Sequence, residues 1–253
     1  MYVTLLPLVA AERLGSYLDA SDGDVSDAFA LYEWNMRAAA SIMELTSMVE
    51  VLARNALDRE LRDWAHQRRA GASWLDVVPL AQQGSADIQK ARDRATRRRR
   101  RPKVHGRVVA ELSLGFWRYL VESRYLTTLW VPATHRAFPA GNPDFRTRQE
   151  DVAFRMQRLT FIRNRAAHHE PIHSRILGED LRSAMDLAAW ISPVAANWVN
   201  ATSSLPLIIW RSRRARVLAR AVTGPRILKI VRSRDRRPSQ LPVPVAVDHP
   251  FSA

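Results

Sequence analysis

An all-α fold is predicted by three observations. The stretch from Ser26 to about Gln67 lacks Gly and Pro and places apolar or small residues at steps of three and four. Segments after residue 145 repeat that spacing, and no convincing strand alternation interrupts the body. The expected architecture is an antiparallel helical bundle with a long first helix. With 253 residues and 47% apolar content, one main domain with a substantial core is expected.

The opening apolar stretch, Val3 to Ala10, has no basic residue before it and contains Pro7, so it makes a poor secretory signal. In the long helix the repeating positions are 31, 34, 38, 42, 45, 49, 52 and 56. Ser26 or Asp27 is the expected N-cap, and Gly71 closes the element after Arg68 and Arg69. Such a helix would run on the order of 60 Å, so a bend or break is expected.

Pro79, Gly84 and the run Arg97, Arg98, Arg99, Arg100, Arg101 followed by Pro102 mark a loop-rich interval with one short helix near residues 85–95. Residues 111–130 read as helical apart from Gly115, which would let helices approach closely; Phe116 and Trp117 are expected in the core. Residues 137–145 are turn chemistry. A helix over about 147–169 carries the stripe Val152, Met156, Leu159 and Ile162 and stops before Pro171. Another covers Leu177 to Trp190, and Ser192 with Pro193 starts the next. The uncharged run 187–210 is punctuated by Ser, Asn, Thr and Pro, which argues against a bilayer span. Trp190, Val194 and Trp198 recur every fourth residue, as in a buried core helix. Beyond residue 210 the chain alternates Arg with short apolar stretches and ends Pro-rich. A domain over 1–210 and a poorly ordered basic tail over 211–253 are therefore expected.

The absence of cysteine excludes disulfides, thiolate zinc sites and cysteine nucleophiles, and fits a cytoplasmic location. The net charge of +14 is concentrated in two strips, residues 90–107 at +9 and 211–237 at +10, while the rest of the chain sums to −5. Arginine supplies 36 of the 39 positive charges. That bias follows either from base composition of the source genome or from phosphate binding, for which the guanidinium fork is suited. Adhesion of the tail to an anionic membrane is a further reading of the charge.

Side-chain chemistry gathers in LTFIRNRAAHHEPI, which holds Arg163, Asn164, Arg165, His168, His169 and Glu170 at a helix end. Asn164 and His168 stand one turn apart on one face, and Arg163 is long enough to reach a shared phosphate. Ala166 and Ala167 admit another backbone at close range. An Arg and a His together suffice for RNA cleavage by internal attack, without a metal or other cofactor. The competing reading is solvated helix arginines and histidines favoured by the macrodipole. Zinc binding is disfavoured, because His168, His169 and His173 lack an HExxH arrangement. In the long helix, Glu50, Arg54 and Asn55 are either a surface ion-pair group or a set lying behind the motif helix and orienting Arg163.

RNRAAHH at 163–169 resembles the Arg, polar residue, four-to-six-residue spacer and His motif of the HEPN superfamily, in the form of Abi-like (AbiD/AbiF type) abortive-infection proteins. LYEWNMRAAASIMELTSMVEVLARNALDREL (31–61), AELSLGFWRYL (110–120), RNRAAHHEPI (163–172) and DLAAWISPVAANW (186–198) are similar to the family's blocks, in its order, across about residues 11–210. The resemblance implies a homodimer whose two motifs form one composite site, and metal-independent endoribonuclease activity leaving a 2′,3′-cyclic phosphate. The setting it implies is phage defence or a toxin–antitoxin pair. Arg163 would bind phosphate, Asn164 would orient it, and His168 or His169, with four or five residues intervening, would act as acid or base. Glu50 and Arg54 would support them, and Arg97 to Arg101 with Arg165 would guide RNA. A regulatory small RNA or antitoxin is a possible partner, and stable membrane insertion is not expected. The alternative is a HEPN module that binds RNA or a partner without cleaving.

Overall fold

The computed structural model describes residues 1–97 and 100–211. The chain divides into Met1–Arg214 and Ala215–Ala253. Every described residue belongs to the first unit, and the expected tail from residue 212 lies outside the described residues. All regular structure among the described residues is helical. The helices are α1 (Tyr2–Val9), α2 (Ala11–Asp19), α3 (Val25–Arg68), α4 (Trp74–Val77), α5 (Gln82–Ala95), α6 (His105–Ala110), α7 (Leu114–Leu120), α8 (Phe145–Ala167), α9 (Leu177–Ile191) and α10 (Pro193–Thr202). Residues 205–211 form a further helical segment.

Helix α3 organises the unit. Asp22 and Gly23 both take positive φ, which turns the chain so that Asp24 becomes the N-cap and accepts the Asp27 N–H at 2.8 Å. The cap is therefore Asp24, not Ser26 or Asp27. The helix runs 44 residues without the expected break, a length on the order of 66 Å. It stays whole because neighbours cover its apolar face along its length. Its first turns share a small core of Leu14, Tyr17, Ala28 and Phe29 with α1 and α2. The remainder packs Ile42, Leu45, Leu57 and Leu61, all fully buried, against the other helices. Each such side chain contributes about 1.5–3 kcal/mol by burial.

Helices α8 and α9 pack along α3. The α8 stripe is as expected, with Val152, Met156, Leu159 and Ile162 all buried. The pairing is antiparallel. Arg136, before α8, bonds Glu60 of α3 at 3.2 Å, while Ile172, after α8, donates its backbone N–H to Asn35 Oδ1 at 2.7 Å.

Three local expectations change. Residues 111–130 are not one helix: after α7 the chain makes a 3₁₀ turn (Ser123–Tyr125) and a π turn (Leu126–Trp130). The Val121 carbonyl is taken by Gln149 Nε2 of α8 at 3.1 Å, and Glu122 is held by Arg118 and Arg124 at 3.0 and 2.9 Å. Phe116 and Trp117 are buried as expected, but Gly115 makes no close approach, since a Cβ there would meet only Ser113 Oγ at 3.6 Å. The Trp190, Val194, Trp198 stripe is not a core stripe. The Ser192 cap and Pro193 restart the helix, resetting its register, so Ala195 and Val199 face inward while Val194 and Trp198 are exposed. No helix among the described residues is long and apolar enough to cross a membrane.

Candidate functional site

The motif occupies the C-terminal turn of α8, and the way that helix stops determines its geometry. His168 is the C-cap and His169 sits in the left-handed region at φ 57°. The Glu170 N–H reaches back to the Arg165 carbonyl at 2.8 Å and the His169 N–H to the Ala166 carbonyl at 3.2 Å, the paired bonds of a Schellman motif. Glycine normally fills the position held by His169, so the backbone there is strained for an L-residue. Both imidazoles are exposed.

Arg165 locks this turn. It donates to the Pro171 carbonyl through Nε and Nη2 at 3.3 and 2.6 Å, and pairs with Glu170 at 3.1 Å. Its guanidinium is thus engaged inside the chain. Arg158 of α8 and Arg175, just before α9, converge on Asp180, which is fully buried, at 2.8 and 2.7 Å, and Arg158 also holds Glu179 at 2.6 Å. Arg155 is shared between Asp151 and Asp186.

Arg163 differs from these. Among the described residues it has no carboxylate within ion-pair distance, and its one hydrogen bond is a long 3.4 Å contact to Asn164 Oδ1. Its charge acts on the carboxylate Glu50 of α3. Burial pushes the Glu50 carboxyl above its ordinary value of 4.5. The positive charges of Arg163 and then Arg54, and a hydrogen bond from the Leu114 N–H, oppose that shift without cancelling it. Glu50, Arg54 and Arg163 therefore lie together where α3, α7 and α8 meet, while Arg54 also donates to Asn55 Oδ1 at 3.5 Å. At about 100° per residue, Arg163 points along the flank of α8 nearest α3, and His168 lies roughly 140° further round, toward solvent.

That outward face also carries two exposed aromatic rings. Phe154, Phe161 and His168 follow one another at seven-residue intervals, with Phe154 59% and Phe161 50% exposed. Arg165 and Arg175 lie over the Phe161 ring at 5.8 and 5.0 Å.

The basic strip at 90–107 is partly neutralised. Arg92 and Lys103 pair with Asp76, Arg94 with Glu111 at 3.0 Å, and Lys90 with Asp87 at 3.7 Å. Its base is pinned by buried Asp58, which accepts Trp74 Nε1 and meets His105 Nε2, both at 2.7 Å. Arg97, Arg100 and Arg101 are exposed and pair with no acid among the described residues; Arg98 and Arg99 lie outside them. This turn follows α5, which packs on α6 and α7.

A cleft of about 470 Å³ opens between α3 and the end of α8. Ala39, Ala40, Ala166 and Ala167 form its floor, and Met36, Met43 and Tyr32 its walls. Arg13, Asn35 and His169 also line it. The alanine pair of the motif was the visible signal for this space, but Arg13, Tyr32 and Asn35 carried none. Among the described residues no group of three His, Asp or Glu side chains is placed to hold a metal ion. Comparison of the chain with protein-family models, curated proteins and solved structures finds no significant match.

Proposed function

We propose that the protein is a metal-independent endoribonuclease of the HEPN type, acting as a dimeric effector in abortive infection or as a toxin. The observation that carries this reading is Arg163, a half-buried guanidinium left without an ion-pair partner among the described residues, on a helix end that also carries two exposed histidines. Its neighbours Arg155, Arg158 and Arg165 are paired with carboxylates, which leaves Arg163 available to a phosphate on this part of α8.

In the reaction, an imidazole removes the proton of a 2′-hydroxyl. The 2′-oxygen then attacks the adjacent phosphorus, the bond to the 5′-oxygen breaks, and a protonated imidazole supplies the leaving oxygen with its proton. The products are a 2′,3′-cyclic phosphate and a 5′-hydroxyl. Arg163 stabilises the charge that builds on the phosphate. Two imidazole roles and the separation of Arg163 from His168 around α8 favour a site shared by two copies. The exposed stripe Phe154, Phe161, His168 gives a second copy a surface to cover.

Arg163→Ala and His168→Ala should each abolish RNA cleavage and growth toxicity while leaving helical circular dichroism unchanged, and full activity should persist in excess chelator. A strict requirement for Mg²⁺, or RNA that is bound but never cut, would overturn the assignment.

A further inference from the structure

The cleft between α3 and α8 carries an inference that rests on the RNA reading and sharpens it. Ala167, in its floor, stands one turn from Arg163 on the same flank of α8, about 6 Å along the axis. A nucleotide whose phosphate lies on Arg163 therefore has the cleft within reach of its base. The four alanines leave a slot between the two helices, walled by the polarisable thioethers of Met36 and Met43 and the ring of Tyr32. Tyr32 is held edge-on by Tyr17 at 5.2 Å between centroids. A planar base suits such walls. Among the described residues no carboxylate lines the space, and Arg13 and His169 make it electropositive or neutral.

Asn35 supplies a polar contact. It is 2% exposed, and its Oδ1 accepts the Ile172 N–H at 2.7 Å, which fixes the orientation of the amide. The amide NH₂ has no acceptor among the described residues, although Asn35 lines the cleft. The NH₂ is thus left to donate to an acceptor on a molecule in the cleft, a carbonyl oxygen or a ring nitrogen. We propose that this cleft is a nucleobase subsite next to the scissile phosphate, in which Asn35 donates a hydrogen bond to an acceptor on the edge of the base.

Two variants of the full chain test this. Asn35→Asp still accepts the Ile172 N–H but replaces the donor with an acceptor. Ala40→Leu fills the slot from an exposed position. Uridine, guanosine and adenosine monophosphates should each bind the wild type more tightly than ribose 5-phosphate, which has no base, by about tenfold or more in calorimetry, tenfold being the worth of one hydrogen bond. Asn35→Asp and Ala40→Leu should each weaken the nucleotides toward the ribose 5-phosphate level. Ribose 5-phosphate binding as tightly as the nucleotides, or Ala40→Leu indistinguishable from wild type, overturns the subsite whether or not RNA is cut. If the wild type cuts no RNA yet binds the nucleotides more tightly than ribose 5-phosphate, the subsite stands and the nuclease assignment falls.

Discussion

Arg158 and Arg163 are one and a half turns apart on the same helix, and their surroundings are opposite. Arg158 is 19% exposed and is bound to Glu179 and to Asp180, which is itself wholly buried. Arg163 has only a long contact to a neighbouring amide and the partial influence of Glu50. The first arrangement is what a fold needs, since a buried carboxylate must be compensated. The second contributes little to stability, because an unpaired and partly solvated guanidinium gains little from folding. Charge on α8 is therefore divided between architecture and availability.

The largest effect expected from breaking this contrast is on the structural side. Asp180→Ala would leave Arg158 and Arg175 without their shared partner and should destabilise the protein by about 3–5 kcal/mol, read as a shift in urea midpoint. Arg163→Ala should change the same midpoint by less than about 0.5 kcal/mol while lowering cleavage by about 10²–10³-fold. A loss of stability comparable to that of Asp180→Ala would put Arg163 with the architecture.

Smaller effects sharpen the comparison at the turn. His169→Gly relieves a left-handed backbone worth about 1–2 kcal/mol but adds unfolded-chain entropy of about 0.5–1 kcal/mol, so a net gain of about 0.5 kcal/mol is expected. If His169 is one of the two working imidazoles, that gain comes with a loss of cleavage. Because His169 leaves five intervening residues and His168 four, comparing His168→Ala with His169→Gly assigns the acid–base role.

Glu50 offers the smallest and most specific test. Its folded pKa lies above the unfolded value of 4.5, so the native state holds the proton more tightly. Its contribution to stability is fully present below pH 4.5 and falls as pH rises through the folded value. Glu50→Gln should thus lose little in acid and gain relative to wild type as pH rises through that window. In Arg163→Ala the Glu50 carboxyl, titrated by carbon NMR, should move further upward, since a cation that opposes the shift is gone. No movement would mean that the two side chains do not sense each other.

The helices were legible where their apolar spacing is long and regular. The α3 periodicity and the 152–162 stripe are properties of single segments, and single segments are what a sequence displays. The motif at Arg163 to His169 was visible for the same reason. What escaped depends on residues far apart in the chain. Asn35 looks like a polar lapse in an amphipathic helix until Ile172, 137 residues later, uses its carbonyl. Asp180 looks like one acid of a first turn until two arginines converge on it. Counting charge along residues 90–107 overstated the free cations, because Asp76 and Glu111 neutralise part of the strip from outside it or at its edge.

The unbroken α3 also sets a schedule. Its carboxylate Glu44 is matched by Ser204, 160 residues on, through the backbone N–H at 2.8 Å and the hydroxyl at 2.6 Å. A ribosome adding about 5–20 residues per second delivers that partner on the order of 10–30 s after Glu44 has emerged. For roughly the first 100 of those 160 residues the helix exists, if at all, without α8, α9 or the motif beside it, since α8 begins at Phe145 and α9 at Leu177. On the nuclease assignment, a nascent chain is harmless to the RNA around it until nearly the whole unit has been made.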